Sequence, residues 1–291
     1  VYGHLEGAGG AFARDPTGHL SIEAGIFHQH GLEVSWHRVQ GTEERYRRLL
    51  DGSAQISLVV GRAALQHFLS SKNTRILGCA MNRCPYYLVA RPAVAHVAQF
   101  KNTIVACREG PARNAPIAQT FERLAGLRVG KDLLLERAQG DQDAFNSLID
   151  GKAGGALLPR PFAFLAEERG FRRITGWPDI VDDPLPITVE TSAKLWQERA
   201  DDLEKFLAAH REGIRYFKSR RDEAMRILTE RFGHTASMAQ KISDDYIVCM
   251  DESLRVDFAQ FEKLLSQVTP DSSTTARAIA SEWMIPGAMK E

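Results

Sequence analysis

The chain has no run of eighteen apolar residues, so no segment of it could cross a bilayer as a helix. Net charge is also missing: 37 basic side chains stand against 37 acidic ones, and a surface for nucleic acid or anionic lipid would need an excess of base. Cysteine is scarce. Cys79, Cys84, Cys107 and Cys249 form no C-x-x-C pair, which removes the usual redox and zinc-module motifs. Their mostly apolar neighbours point to buried thiols. Cys79 and Cys84 are close enough for a small disulfide loop in an oxidising compartment, which spacing alone leaves open. There is no G-x-G-x-x-G, no P-loop, no H-E-x-x-H and no G-x-S-x-G, so the common dinucleotide, nucleotide, zinc-hydrolase and serine-hydrolase signatures are absent. His28, His30 and His37 lack a second ligand cluster and read as surface histidines. Neither a metal nor a cofactor is expected.

What is present is a repeat. Arg38 to His67 reads RVQGTEERYRRLLDGSAQISLVVGRAALQH, and ninety-nine residues later Arg137 to Ala166 reads RAQGDQDAFNSLIDGKAGGALLPRPFAFLA. Nine of thirty positions are identical without a gap, among them Gly41/Gly140, Asp51/Asp150 and Gly52/Gly151. In each copy a β-branched run ends in Gln-Gly, and Thr42 or Asp141 stands where an N-cap would. Tyr46, Leu49 and Leu50, or Phe145, Leu148 and Ile149, then recur at i, i+3 and i+4 and give one apolar helical face. Asp-Gly stops the helix, and a second apolar run follows. The unit is strand, helix, strand, which implies parallel pairing and a right-handed crossover.

With 44% apolar and 25% charged residues in 291, the chain reads as soluble, globular and long enough for two domains. It begins at Val1 in what looks like the middle of a strand, so an upstream segment such as a signal peptide is expected to have been removed. A glycine-rich loop, Gly3 to Gly18, precedes a helix read over His19 to His30. Strands are expected at Leu32–Val39, Arg75–Met81, Tyr86–Ala90, Thr103–Cys107, Phe171–Thr175 and finally Ile187–Glu190. Glu109-Gly110-Pro111 reads as a turn before a helix at Ala115–Ala125. After Glu190 the pattern is helical, striped by Leu203, Phe206, Leu207, Ile214 and Phe217.

Four stretches resemble one family. AGIFHQHGLEV (Ala24 to Val34), LLDGSAQISLVVGRAAL (Leu49 to Leu65), LIDGKAGGALLPRPFAFLAEERGF (Leu148 to Phe171) and PITVETSAKLWQERADDLEKFLAAHREGIRYF (Pro186 to Phe217) are similar to segments of the periplasmic solute-binding proteins of ABC importers, in the aliphatic-sulfonate, taurine and thiamine-precursor group. The resemblance implies a two-lobed α/β fold of the type II periplasmic binding protein kind. Each lobe would be a mostly parallel sheet flanked by helices, with residues 1–88 and 186–291 in lobe 1, 89–185 in lobe 2, and a ligand cleft between them that closes by hinge motion. It implies a monomer, outside the cytoplasm, that hands a small-molecule ligand to an ABC permease, is peripheral to the membrane at most, and catalyses nothing. A few relatives of the fold are enzymes, among them thiamine-pyrimidine synthases and aryl-sulfinate desulfinases, and a ligand sensor is a further alternative. The synthases' cysteine-rich motif is absent, and Cys84 is the one thiol that could be tested as a nucleophile. The family's aspartate in its G-e-i-D segment is replaced here by Ile56-Ser57, and the opening loop is longer, so ligand identity stays open.

Open parallel sheets bind ligands outside the carboxyl ends of their strands. That rule selects Gly61 and Arg62 from the first copy and Arg160 from the second. It adds Asn82 and Arg83 after Met81, then Gly110, Pro111, Arg113 and Asn114 after Cys107. His4, Gly7, Gly9 and Gly10 of the opening loop complete the set. Helix starts near Ala63 and Ala115 would turn free amides toward the ligand, and arginine can grip a carboxylate, sulfonate or phosphate with two parallel bonds. An anionic solute is therefore expected. Arg160 is the first choice, since it stands between two prolines at the position that Gly61 holds in the other copy. Tyr86, Phe162 and Trp177 would supply aromatic surface nearby.

Overall fold

The computed structural model describes residues 3–9, 16–39, 41–81, 86–108, 111–176, 185–270 and 275–290. The chain divides into unit 1, Val1–Asn82 with Pro184–Glu291, and unit 2, Arg83–Asp183. The sequence put these divisions at 88/89 and 185/186. The first differs because the strand Tyr86–Ala90 pairs wholly within the second sheet.

Unit 1 opens with β1 (Gly3–Gly9), α1 (Pro16–Glu23), α2 (Ile26–Gln29), β2 (Leu32–Arg38), α3 (Thr42–Asp51), β3 (Ile56–Val59), α4 (Gly61–Ser71) and β4 (Thr74–Met81). Unit 2 holds β5 (Tyr86–Ala90), β6 (Ile104–Arg108), α5 (Pro111–Ala125), β7 (Leu134–Ala138), α6 (Asp141–Ile149), β8 (Gly155–Pro159), α7 (Phe162–Glu168) and β9 (Arg172–Gly176). The chain returns to unit 1 with β10 (Ile187–Ser192), α8 (Ala193–Ser219), α9 (Arg221–Glu230), α10 (Ala236–Cys249), β11 (Val256–Asp257), α11 (Phe258–Val268), α12 (Ala276–Trp283) and β12 (Met289–Lys290).

The two sheets have one plan. Unit 1 orders its strands β2-β1-β3-β10-β4, and unit 2 orders them β7-β6-β8-β5-β9. In each, the fourth strand runs against its neighbours, and it is the first strand after the chain has crossed from the other unit. The ninety-nine-residue offset also reaches beyond the thirty aligned positions. It carries β1 onto β6, α3 onto α6, β3 onto β8 and β4 onto β9 to within a few residues. Within each copy the two strands are parallel but not adjacent, because β1 or β6 lies between them.

Several local expectations need correction. The helix read over His19 to His30 is two helices, starting at Pro16, because Gly25 takes a left-handed φ of 69° between them. Thr42 and Asp141 are first helical residues. The N-caps are Gly41 and Gly140, with no side-chain cap bond, and at Gly41 a φ of 80° suits glycine alone. Pro111 opens α5, a position where its missing N–H costs nothing. Ile187–Ser192 is not the last strand, since β11 and β12 form a small parallel pair. The Asp-Gly stops are as read, with Gly52 and Gly151 at φ of 82° and 77°.

Cores close within each unit. In unit 2, Phe100, Phe121, Ile117, Leu133, Val105 and Leu157 pack together, with Phe100 edge-on to Phe121 at 5.7 Å between ring centroids. In unit 1 the buried strand β3 and fully covered Leu5 and Leu20 lie in the same unit as Phe68, which stacks on Trp283. The long helix α8 starts at Ser192, whose hydroxyl accepts from the Leu195 amide, and buries the Leu203, Phe206, Leu207, Ile214 and Phe217 stripe. Cys79, Cys107 and Cys249 are buried. Cys84 lies outside the described residues.

Candidate functional site

Strand register locates the carboxyl edges. β4 ends at Met81, paired with Ile187, the first residue of β10. β5 starts at Tyr86, paired with Pro159 at the end of β8, and β9 ends at Gly176, paired with Tyr87. Both connections between the units therefore leave and arrive at the carboxyl edge of a sheet.

On the unit 2 edge, β6 ends in Arg108, β8 leads into Arg160, β5 begins at Tyr86 and α6 begins at Asp141. The Tyr86 hydroxyl donates to Asp141 Oδ1 at 3.2 Å, and Arg108 Nη1 lies 3.6 Å from Asp141 Oδ2. One carboxylate thus holds both a phenol and a guanidinium at the edge. Arg160 is only 8% exposed, directly beyond the strand end. A guanidinium stays charged even when covered, and a charge in a partly desolvated setting attracts an anion more strongly than one in water. Sequence reasoning missed Arg108 and Asp141. The last-residue-of-strand rule would have found Arg108, whereas Asp141 was absorbed into the capping argument. Phe162 packs on Phe145 at 5.6 Å. Trp177 lies outside the described residues.

On the unit 1 edge, the sequence-derived residues turn inward. The Gly61 amide donates to the Leu185 carbonyl at 2.9 Å, and a Cβ at Gly61 would overlap that carbonyl and the Leu185 Cβ. Glycine is needed here for close chain approach, and the first amide of α4 is already used. Arg62 is buried and Nη2 donates to Gln267 Oε1, tying α4 to α11. Arg45, which sequence reasoning passed over, reaches this edge. It is buried, Nη1 donates to the Leu58 carbonyl at 2.8 Å and Nε to Gly41 at 3.0 Å. Leu58 pairs with Gly9.

Beneath Arg45 lies a buried polar group. Tyr46 donates to Glu190 Oε2 at 2.9 Å and stacks on the His67 ring at 3.7 Å, and His67 Nε2 lies 2.9 Å from Asn73 Oδ1. Glu190 is fully buried on β10, directly across from Ser57 in the β3 register, and neither Glu190 Oε1 nor Ser57 Oγ has a hydrogen-bond partner among the described residues. Burial pushes the Glu190 carboxyl up to about 8, although the Tyr46 hydroxyl and Arg45 pull the other way. The same burial, and the Glu190 charge, raise the Tyr46 phenol, while burial lowers His67.

Of the remaining candidates, His4, Gly7 and Gly9 lie in β1, and Pro111, Arg113 and Asn114 lie in the first turn of α5. Gly10, Asn82, Arg83 and Gly110 fall outside the described residues. Of the three histidines, His30 pairs with Glu212 at 2.8 Å. Among the described residues no group of three or more His, Cys, Asp or Glu side chains could hold a metal, and no helix is long and apolar enough to cross a membrane.

No protein-family model and no curated protein matches the sequence. Solved structures do match along nearly the whole chain. The ligand-binding component of an ABC-type import system from Staphylococcus aureus, with zinc bound, superposes with a TM-score of 0.77 at 10% identity, over 99% of this chain and 98% of that one. The periplasmic aliphatic sulphonate binding protein SsuA from Escherichia coli gives 0.74 at 13% identity, over 96% and 97%. The periplasmic nitrate-binding protein NrtA from Synechocystis gives 0.78 at 11% identity, over 97% and 86%. Identities this low speak to architecture alone: the chain has the two-lobed α/β fold of the periplasmic binding proteins, with mixed sheets flanked by helices.

Proposed function

We propose that this protein is the solute-binding component of an ABC-type importer. It works outside the inner membrane as a monomer, holds a small anionic organic solute between the two units, and delivers it to a permease without changing it chemically. The observation that carries this reading is Arg160, buried just past the end of β8, on an edge that also bears Arg108. Ligands of such sheets bind at carboxyl edges, and both connections start and finish there, which suits closure of the units around a solute. Two proteins of the same fold are named for anions, nitrate and aliphatic sulphonate.

A thermal-shift panel of sulfonates, carboxylates, nitrate, sugars and amines tests the ligand class. Binding adds RT ln(1 + [L]/Kd), about 2.7 kcal/mol at a hundredfold excess over Kd. Shifts confined to neutral compounds or amines would remove the anion assignment. With the ligand in hand, calorimetry on Arg160→Ala follows. A charge-assisted bond contributes roughly 1.5 to 3 kcal/mol, so affinity is expected to fall about tenfold to a hundredfold. Unchanged affinity would take Arg160 out of the site, and conversion of any bound compound to product would end the non-catalytic reading.

A further inference from the structure

Several arginines of this protein have a carboxylate. Arg47, Arg48, Arg199, Arg221 and Arg226 are examples, each within 3.1 Å of an acidic oxygen. Three others in unit 1 lie close to one another. Arg211 and Arg215 stand four residues apart on α8, which places their Cβ atoms about 6 Å apart on one face. Arg211 Nε donates to the Ser253 carbonyl at 3.3 Å, two residues before Arg255. Among the described residues, none of the three is in an ion pair. The acids beside them are engaged elsewhere: Glu212 with His30, and Asp251 with Lys290 and the Ser253 amide. Glu252, exposed on the same loop, makes no ion pair among the described residues.

The positions are firmly held. The Arg255 amide donates to Ser253 Oγ, the Val256 amide to Ala288 at 2.7 Å, and the neighbouring Leu254 carbonyl accepts from the Cys79 amide of β4 at 2.8 Å. One turn further along α8, Lys218 Nζ donates to the Met250 carbonyl at 2.9 Å, so the same helix face is pinned to the 250–255 segment at Met250 and at Ser253. Arg211 is half-buried, while Arg215 and Arg255 are exposed. Burial, and then the charges of Arg255 and Arg215, hold the Arg211 guanidinium below its ordinary range. Three like charges on a rigid frame repel one another, and among the described residues no acid forms an ion pair with any of them.

We propose that Arg211, Arg215 and Arg255 form a binding site for a phosphate group, separate from the solute site at the carboxyl edges. A phosphate dianion presents several acceptor oxygens, and guanidinium forks approaching from a helix face and from a loop can each take a pair of them. Such a site would bind phosphate whether or not the protein serves an importer.

The test is calorimetry with inorganic phosphate against chloride at matched ionic strength, in the Arg160→Ala background so that the solute edge is weakened. Arg211→Gln/Arg215→Gln and, separately, Arg255→Gln are expected to weaken phosphate binding by about tenfold or more. Arg221→Gln, whose side chain pairs with Asp244, is expected to leave it unchanged. A parallel arm measures co-sedimentation with phosphatidylglycerol and phosphatidylcholine vesicles. Saturable binding of free phosphate that the variants lose supports the site with a soluble source. Retention on phosphatidylglycerol alone, lost in the variants, supports it with a lipid source. Binding in neither arm, or binding that both variants retain, overturns it. In phosphate-free buffer the melting temperature of the double variant is expected to match or exceed that of the parent, which separates a ligand role from a structural one.

Discussion

Glu190 is a residue whose chemistry departs far from its ordinary state. Its carboxyl sits near 8 in the fold and near 4.5 in the unfolded chain, so the folded state binds the extra proton between those values. Stability that is fully present below about pH 4.5 is therefore lost as pH rises, and the loss is complete above about pH 8. The gap corresponds to on the order of 5 kcal/mol. Urea unfolding of the parent and of Glu190→Gln across that range checks it. The variant carries no titrating carboxyl, so it is expected to gain on the parent steadily with pH. His67 is lowered by burial and acts in the opposite direction at acid pH, but it is common to both proteins and cancels in the difference. A difference that stays flat with pH would mean that Glu190 is ionised in the fold. Neither Glu190 nor Arg45 was legible in the sequence. Each is a charged residue in an unremarkable local pattern, and its burial follows from a contact with another element: Tyr46 of α3 for Glu190, the Leu58 carbonyl of β3 for Arg45. Arg160 was legible, because two prolines and a repeat partner mark its position in the chain itself.

At the level of elements, the α4 start shows how one glycine can look like part of a ligand loop and act as a packing device. Sequence placed Gly61 at a strand end before a helix, which is where ligands bind. The fold sets the backbone of Leu185 against it, with the Gly61 amide donating to Leu185. Gly61→Ala would push a methyl group into backbone, which cannot swing aside as a side chain could. A loss of about 1 to 3 kcal/mol is expected by urea unfolding, with the m-value unchanged if the denatured state is unaffected. An effect of a few tenths would show that α4 and the Leu185 segment separate easily. The repeat was readable where it was carried by glycine stops and helical spacing, as in α3 and α6. It was unreadable in β1 and β6, whose sequences share too little to align, although the ninety-nine-residue offset relates them as well. That strand, set between the two strands of each copy, is what strand-helix-strand grammar alone could not supply.

For the molecule as a whole, the crossing strands make the two units unequal as folding bodies. All five strands of the second sheet and its packed core come from one contiguous stretch, 86–176. The first sheet needs β10, which follows the whole of unit 2 in the chain and stands between β3 and β4. A fragment of residues 83–183 is therefore expected to fold alone, with a cooperative urea transition and a stability of about 5 kcal/mol, as for other domains of ~100 residues. A fragment of residues 1–82 would leave one edge of β3 and one of β4 without the strand that joins them. Such unpaired edges recruit other chains, so this fragment is expected to aggregate or stay unfolded. Supplying β10 in cis, by joining residues 184–291 to residue 82 through a short glycine-serine linker, should restore a cooperative unit 1. The carboxyl edge then decides between two accounts of solute binding. If the isolated second unit still binds a solute found by the thermal-shift panel, and Arg160→Ala removes that binding, the proposed contact belongs to that unit. If the isolated unit shows no measurable binding while the intact chain does, the second unit alone does not make the site.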